Sequence, residues 1–355
     1  MELDPRWLRE SAARLIEATG VPESAARTVA ASLVDADLRG VPSHGVMLLP
    51  MYVGRLRAGS VSLATEAEAV VDLGAVAVLD GQHALGQLTG DQAMGLAIAK
   101  AQEYGVGAVA VRRAFHFGSA FRYAAQAADK DCIGLAAANT RPLMPAWGGA
   151  EAVVGNNPIA FAVPRSEGEP LILDMALSAA ALGKIRLAAA SGQPIPDSWA
   201  TDVLGRPTTD AAQALEGLLL PMAGPKGFGL ALVVDVLTGV LSGGAFGKKV
   251  QGLYADLSRP NDSAQFFLAL DVRAFSDDAE FGERVEELCR QVTGSASAPG
   301  VERIYLPGQI EEERAAEAAK SGLRVQRSTL ADLERLSTEL GVELTFPAPT
   351  QEVGA

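Results

Sequence analysis

Histidine is scarce in this chain, which contains three in 355 residues. Two of them stand in glycine-marked motifs: Pro-Ser-His-Gly around His44 and Phe-His-Phe-Gly around His116. Because imidazole titrates near neutral pH, histidine is the usual proton donor or acceptor in enzymes. His44 and His116 are therefore the candidates for acid–base catalysis, although either could instead be a packed structural residue. His83 lacks comparable polar neighbours, and we interpret it as structural.

The composition excludes several other functions. The chain carries a net charge of −13, and a nucleic-acid binder would normally show a basic face instead. The same acidic balance argues against docking on an anionic membrane. Cys132 and Cys289 have neither disulfide-framework nor metal-ligand spacing, so we expect no metal site and a buried Cys132. There is no signal peptide and no apolar run of membrane-spanning length, so a cytoplasmic protein is the default expectation.

Helical periodicity dominates both ends of the chain, and strand-like runs alternate with helices between them. The pattern predicts an α/β fold with a helical domain formed from residues 1–67 and 309–346, an α/β cofactor-binding domain over 68–308 and a flexible tail at 347–355. Glycine and proline predict loops at 205–225 and 294–300. A buried helix is predicted at Lys226–Leu241. The predicted strands are Ala69–Leu73, Val76–Leu79, Gly107–Arg112, Ile133–Ala138, Ile159–Val163, Leu171–Asp174, Gln265–Leu270 and Glu302–Leu306.

Three segments outside the histidine motifs could bind ligands. The pattern G-x-G-x-x-G of an ordinary Rossmann domain is absent. A glycine-rich turn around Lys226 leads into an apolar helix, which suits an anion but could be a plain helix start. Asp174 ends an apolar strand, where it could face a ligand or cap a helix. Arg141 could clamp a carboxylate, or it could be a surface residue in a proline-containing loop.

Taken in order, many short motifs resemble those of the type 2 malate/L-lactate dehydrogenase family. The resemblance covers roughly residues 5–342, and the number of motifs makes it specific although each is weak alone. The motifs that carry it are Asp37-Leu38-Arg39-Gly40, Ser43-His44-Gly45-Val46, Pro50-Met51-Tyr52, Val111 to Gly118, Asn139-Thr140-Arg141-Pro142, Trp147-Gly148-Gly149, Gly155 to Ala160, Asp174-Met175-Ala176, Gly183-Lys184-Ile185, Gly205 to Asp210, the turn at 224–229, Leu241-Ser242-Gly243 and Leu306-Pro307-Gly308.

The resemblance implies a homodimeric oxidoreductase that uses NAD or NADP on a non-Rossmann, mixed-sheet fold. It implies that His116 or His44 exchanges a proton with the substrate, with Ser43 as a hydrogen-bonding helper. The cofactor-lining residues that it implies are Thr140, Asp174, Met175, Ala176, Lys226, Leu306, Pro307 and Gly308. The nicotinamide would carry the redox chemistry, while the protein supplies orientation and electrostatics. The choice between NAD and NADP stays open.

This chain departs from the family pattern around the substrate. Leu48 stands where the family usually has an arginine that we expect to hold the substrate carboxylate. Ala264-Gln265 replaces the usual glycine–histidine, and Phe115 precedes His116 where a polar residue is common. We expect a more apolar pocket in which either Arg141 or Tyr52 takes over the anchoring or the substrate lacks a simple carboxylate at this place. The predicted reaction is hydride transfer between nicotinamide and a 2-oxo or 2-hydroxy acid or related ketone. The alternatives are reduction of a cyclic imine carboxylate and a non-catalytic ligand-binding relative.

Overall fold

The computed structural model describes residues 2–346, so the predicted tail at 347–355 lies outside the described residues. The first helix, α1 (Pro5–Glu17), begins at a proline. Pro5 suits the first helical turn, and the Asp4 carboxylate accepts a hydrogen bond from the Arg6 N–H at 2.8 Å. This cap fixes the start of the apolar face that α1 buries.

Helices occupy both ends of the chain, as predicted, and they also flank the sheet. The helices that follow α1 are α2 (Glu23–Leu38), α3 (Leu49–Arg57), α4 (Gly86–Tyr104), α5 (Phe121–Ala128), α6 (Leu182–Ser191), α7 (Ala211–Glu216), α8 (Pro225–Asp235), α9 (Asp278–Thr293), α10 (Gln309–Ser321) and α11 (Arg327–Leu340). Two short 3-10 turns, Pro42–His44 and Val46–Leu48, join α2 to α3.

The strands form one large mixed sheet and two small ribbons. In chain order they are β1 (Glu2–Leu3), β2 (Glu68–Leu73), β3 (Val76–Asp80), β4 (Val106–Ala114), β5 (Cys132–Ala138), β6 (Met144–Pro145), β7 (Ala152–Val154), β8 (Ile159–Val163), β9 (Leu171–Met175), β10 (Ser263–Asp271) and β11 (Leu323–Arg324). Within residues 2–346 the large sheet has seven strands in the order β2-β3-β4-β10-β5-β8-β9. The predicted mixed α/β class is therefore confirmed.

The strand directions bring the ends of distant segments together. β3 and β4 are parallel, whereas the other neighbouring pairs are antiparallel. It follows that β3, β4, β5 and β9 all point the same way, and their carboxyl ends meet at one edge of the sheet. We call this the carboxyl edge. Ligands of open α/β sheets bind at such edges.

The described residues form three apolar cores, two of which bear on the position of the site. Helices from both ends of the chain share one core, in which Leu15, Leu33 and Leu49 pack with Leu333 and Leu336. The other lies under the sheet between α4, α5 and the central strands. Cys132 belongs to this second core and is buried, as predicted. No helix within residues 2–346 combines the length and the apolarity that crossing a bilayer requires.

Three details of the predicted elements are wrong. Residues 302–306 have no strand partner, and 205–225 contains helix α7, which Asp210 caps through the N–H groups of Ala212 and Gln213. The segment Lys226–Leu241 is helical, as α8 and a five-residue π-helix at Val236–Val240, but it is not buried. Its apolar residues point both inwards and outwards, which periodicity alone does not reveal. Its exposed apolar residues are Leu230, Leu232, Val233, Val236, Val240 and Leu241.

Candidate active site

The carboxyl edge gathers most of the candidate residues. His116 follows β4, Thr140 follows β5, and Asp174 lies near the end of β9. Hydrogen-bonded register places Ala136 of β5 and Asp174 of β9 in one row across β8. His44 and Tyr52 approach the same edge from the helical layer. Residues that are far apart in sequence thus meet because the strands carrying them run parallel.

His44 and His116 stack on each other. Their ring centroids are 5.5 Å apart and the planes differ by 27°. Burial, and to a smaller extent the neighbouring charge of His44, lower the pKa of His116 to about 3. Burial also lowers the pKa of His44, whose Nδ1 is 3.0 Å from the Ser43 hydroxyl. Both imidazoles are therefore neutral at physiological pH, and among the described residues neither Nε2 has a hydrogen-bond partner.

A buried tyrosine fixes the Nδ1 side of the His116 ring. The Tyr52 hydroxyl is 2.8 Å from Nδ1 of His116, and the side-chain amide of Gln87 donates to the same hydroxyl at 2.8 Å. Tyr52 is fully buried, and this burial raises its pKa far above the ordinary value, so the phenol stays neutral. Tyr52, which the sequence predicts as a substrate contact, thus also contacts the catalytic candidate.

Close backbone packing keeps the histidine strand end in place. A side chain at Gly86 would meet the carbonyl oxygen of Phe115 at 2.1 Å, so only glycine lets α4 start so near. The amide of Gln265 donates to the same carbonyl at 3.0 Å. Gln265, one of the departures from the family pattern, therefore supports the backbone that carries His116.

The turn that carries His44 rests on Asp37. The Asp37 carboxylate accepts a hydrogen bond from the Val46 N–H at 2.8 Å. A side chain at Gly45 would overlap that carboxylate at 2.1 Å, which explains the glycine after His44. Burial raises the pKa of Asp37 to about 7, opposed by the Val46 bond. The helical layer thus packs the two histidines near Asp37 and Tyr52, buried groups whose pKa shifts favour their neutral forms.

Leu48 does not supply a binding surface. Its side chain is 3% exposed and packs in the core shared by the helices from both chain ends. An aliphatic side chain prefers that core to a polar pocket, so the position that the sequence analysis assigned to substrate binding is a packing position here. The structure therefore places no cation at 48.

Two cationic side chains, Arg141 and Arg186, lie on an exposed surface together with Tyr254. Burial and the charge of Arg186 both lower the pKa of Arg141, so the two guanidinium groups lie near each other. Neither forms an ion pair with any carboxylate among the described residues. Arg141 packs against Gly252, in a loop that the buried guanidinium of Arg55 holds through the carbonyls of Gly252 and Leu253 at 2.9 and 3.0 Å. Like charges left unpaired in this way suit an anionic ligand.

The cofactor candidates form two groups along the same edge. The Thr140 N–H donates to Asn157 at 2.9 Å, and Asn157 donates to the Ala231 carbonyl in α8 at 2.8 Å. These bonds tie Thr140 to the helix whose first turn presents Lys226. The lysine is exposed, and no described carboxylate pairs with it.

The second group surrounds β9. The Ile172 N–H donates to the carbonyl of Pro307 at 3.1 Å, which brings Leu306, Pro307 and Gly308 alongside Asp174, Met175 and Ala176. Gly308 has a φ of 85°, in the left-handed region that favours glycine. Asp174 accepts from the first N–H of α5, at Phe121, at 2.9 Å, so it also serves as the helix cap that the sequence left open. Burial raises its pKa to about 6.

Sequence reasoning missed Gln87, Arg186 and Tyr254. Gln87 lies one residue after the glycine that starts α4, and Arg186 directly follows the quoted motif Gly183-Lys184-Ile185. Their positions gave a local signal, but only the fold brings them to the histidines and to Arg141. His83, interpreted as structural, accepts from the Arg113 side chain at 3.3 Å.

Comparison with known proteins agrees with this site. The profile of the malate/L-lactate dehydrogenase family matches residues 3–334. The chain belongs to this family. It is 38% identical to L-sulfolactate dehydrogenase of Methanocaldococcus jannaschii over 97% of this chain and 98% of that protein. The solved structure of sulfolactate dehydrogenase from the same organism superposes with a TM-score of 0.92 and the same coverage of each chain.

Two further relatives name their cofactors. Ureidoglycolate dehydrogenase (NAD(+)) of Escherichia coli is 36% identical over 89% of this chain and 91% of its own length. (2R)-3-sulfolactate dehydrogenase (NADP(+)) of Chromohalobacter salexigens is 38% identical over 85% of this chain and 89% of its own length. The predicted family, the enzyme class and the use of a nicotinamide cofactor are confirmed.

Proposed function

We propose that this member of the malate/L-lactate dehydrogenase family transfers a hydride between NAD or NADP and a 2-oxo or 2-hydroxy acid, with His116 as the proton carrier. The observation that supports the proposal most is the stacked histidine pair at the carboxyl edge. His116 is anchored through Nδ1, while Nε2 has no partner among the described residues. A positioned imidazole of this kind can exchange a proton with a substrate oxygen in step with hydride transfer.

The residues at the edge fit a nicotinamide dinucleotide. The first turn of α8 presents unpaired positive charge at Lys226, next to Gly224 with a φ of 62°. A helix start with a lysine suits phosphate groups. Thr140, the Asp174 strand end and the segment 306–308 would line the rest of the cofactor. When bound, the nicotinamide supplies or accepts the hydride, while the protein orients it and excludes water.

The charged wall would hold the acid group of the substrate. Because Leu48 is packed in the core and the buried Arg55 is engaged by backbone carbonyls, the exposed Arg141 and Arg186 are our candidates for holding that group. A guanidinium binds a carboxylate through two parallel N–H bonds, which also fixes its orientation. The substrate carbon would then lie between this wall and His116, with Ser43 and His44 as neighbours.

The test is turnover of the purified full-length chain with 2-oxo acids, cyclic imine carboxylates and diketones, each with NADH and NADPH, followed by absorbance. His116→Asn should lower kcat by about 10²–10⁴-fold, the usual contribution of an acid–base group. His83→Asn is the matched control and should retain kcat. Wild-type turnover in His116→Asn would contradict the assignment, and exclusive activity on cyclic imines would move the substrate class to that alternative.

We also propose that residues 1–67 with 309–346 form a helical domain and that residues 68–308 form a cofactor-binding domain. We further propose that the protein is a homodimer. Support for the dimer comes from the exposed apolar side chains along α8 and Val236–Val240. A second copy could bury them through the same patch, as two-fold interfaces do. Leu232→Glu with Val236→Glu should produce monomers in sedimentation, whereas Leu288→Glu on α9 should not. A monomeric wild type would contradict the dimer.

A further inference from the structure

Gln87 is fully buried at the start of α4, yet its amide, which could make four hydrogen bonds, makes one among residues 2–346. Its Nε2 donates to the Tyr52 hydroxyl at 2.8 Å, while its Oε1 has no partner among the described residues. A buried glutamine that keeps one oxygen unpaired costs free energy. The cost suggests a role for Gln87 beyond packing.

The geometry around the Tyr52 hydroxyl shows what that role is. A phenol has one proton to donate and two lone pairs that accept. The Gln87 N–H occupies one lone pair. The phenol proton then has two acceptors within reach: Nδ1 of His116 at 2.8 Å and the backbone carbonyl of His116 at 3.5 Å. The shorter contact has normal hydrogen-bond length, whereas the longer one is at the limit.

We propose that Gln87 is a positioning residue that acts through Tyr52 to set the tautomer of His116. By donating to the Tyr52 oxygen, Gln87 directs the phenol proton towards Nδ1, so that neutral His116 carries its own proton on Nε2. The role in turnover rests on the proposed function, but the tautomer itself does not.

The alternative tautomer is disfavoured in the same geometry. If Nδ1 carried the proton, it and the Gln87 N–H would both point at one oxygen, and the phenol proton would be left with the 3.5 Å carbonyl contact. Hydrogen bonds in such a chain also polarise one another, which strengthens the bond from Tyr52 to Nδ1. A neutral imidazole with its proton on Nε2 can polarise a substrate carbonyl, as neutral histidines do in other enzymes.

The groups that face His116 are few. His44 stacks on its ring, Tyr52 contacts Nδ1, and Phe115 lies edge-on at 6.5 Å between centroids. Of these, His44 and Tyr52 titrate, and burial keeps both neutral near pH 7. Beyond Tyr52 lies Tyr254, also a neutral phenol there. The tautomer of His116 is thus set mainly by the Tyr52–Gln87 pair.

The test is ¹⁵N NMR of the full chain labelled at histidine, without substrate or cofactor. With three histidines in the sequence, each signal can be assigned by single substitutions. We expect a protonated Nε2 and an unprotonated Nδ1 for His116 in the wild type. Gln87→Met keeps the volume but removes the donor, so the Nδ1–H form should gain population and the pKa of His116 should rise by about half a unit to one unit.

Gln92→Met is the matched control, because Gln92 lies on the same helix and bonds the backbone of Ala67 instead. It should leave the His116 signals unchanged. Under the proposed function, Gln87→Met should also lower kcat for reduction by about 5–10-fold with little change in KM. The proposal is overturned by a resting Nδ1–H tautomer in the wild type, or by unchanged His116 signals in a folded Gln87→Met variant. The two proposals fail separately. Unchanged His116 signals would contradict the tautomer proposal, whereas absence of dehydrogenase turnover would contradict the proposed function.

Discussion

The carboxyl edge has two unlike walls. The histidine wall, with His44, His116 and Tyr52, is enclosed, and burial lowers the pKa of its histidines while raising that of its tyrosine. The cationic wall, with Arg141 and Arg186, is exposed, and no carboxylate within residues 2–346 pairs with either guanidinium. The carboxyl edge therefore favours neutral side chains at the histidine wall and presents positive charge at the cationic wall.

This difference assigns separate tasks to the two walls. The histidines of the first wall are neutral near pH 7, and an acid–base group needs a fixed orientation. Their hydrogen bonds supply that orientation, and burial protects the bond between Tyr52 and His116 from water. A group that attracts an anion needs a permanent charge that solvent can still reach, because burying an unpaired charge is costly. Leu48 fits this division, since it belongs to the apolar core behind the histidine wall.

After the loss of His116 itself, the largest effect should come from removing the charges of the cationic wall. Arg141→Met and Arg186→Met should each raise KM by roughly 10–100-fold, and together by about 10²–10³-fold, because each removes charged hydrogen bonds to the substrate acid. The value of kcat should change less. Steady-state kinetics with the best substrate of the panel measure both. Arg284→Met, an exposed arginine on α9, is the control, and unchanged KM in the double variant would show that the acid group binds elsewhere.

Next in size should be the removal of one stacked imidazole from the histidine wall. His44→Asn should lower kcat by about 10-fold to 100-fold, since His116 loses its stacking neighbour and alignment. It should also raise the pKa of His116, because the repulsion from His44 disappears while the burial remains. The pH dependence of kcat and a histidine NMR titration would measure this shift. A pKa of His116 that falls or stays fixed would mean that the two rings do not interact electrostatically.

Periodicity and turn chemistry predicted most of the fold, because apolar alternation and glycine or proline punctuation act locally. β8 (Ile159–Val163) was predicted with its observed bounds, and β4 within a few residues. The errors arise where strand pairing or packing against distant residues decides the local structure. Residues 302–306 look like a strand but find no neighbour to pair with, and α8 looks buried but has a second apolar side.

The site divides in the same way. His44, His116 and Ser43 were predictable because their residue types and glycine neighbours are visible in sequence. The contact between Tyr52 and His116 joins residues 64 apart, and its meaning depends on Gln87. Leu48 was predicted to shape the pocket because its sequence position suggests it, yet its side chain turns into the core. Which way a side chain points is decided by tertiary packing.

The smallest effect concerns the support beneath the histidine wall. The pKa of Asp37 in the folded protein, about 7, lies above its ordinary value of 3.8 because of burial. Ionisation is therefore harder in the folded than in the unfolded chain. The stability contributed by the protonated carboxyl is present at low pH and is lost as the pH rises from about 4 to about 7.

Asp37→Asn should remove this loss, since the asparagine oxygen can still accept the Val46 N–H but never ionises. At pH 8 we expect the variant to be more stable than the wild type by ~1–2 kcal/mol, and at pH 5 to be nearly equal, allowing for partial solvent screening. Urea unfolding at pH 5, 6, 7 and 8 gives the two curves. Asp37→Ala, which also loses the acceptor, should be less stable than Asp37→Asn at every pH. Parallel curves for the wild type and Asp37→Asn would show that this carboxyl ionises freely and that the histidine wall does not resist charge there.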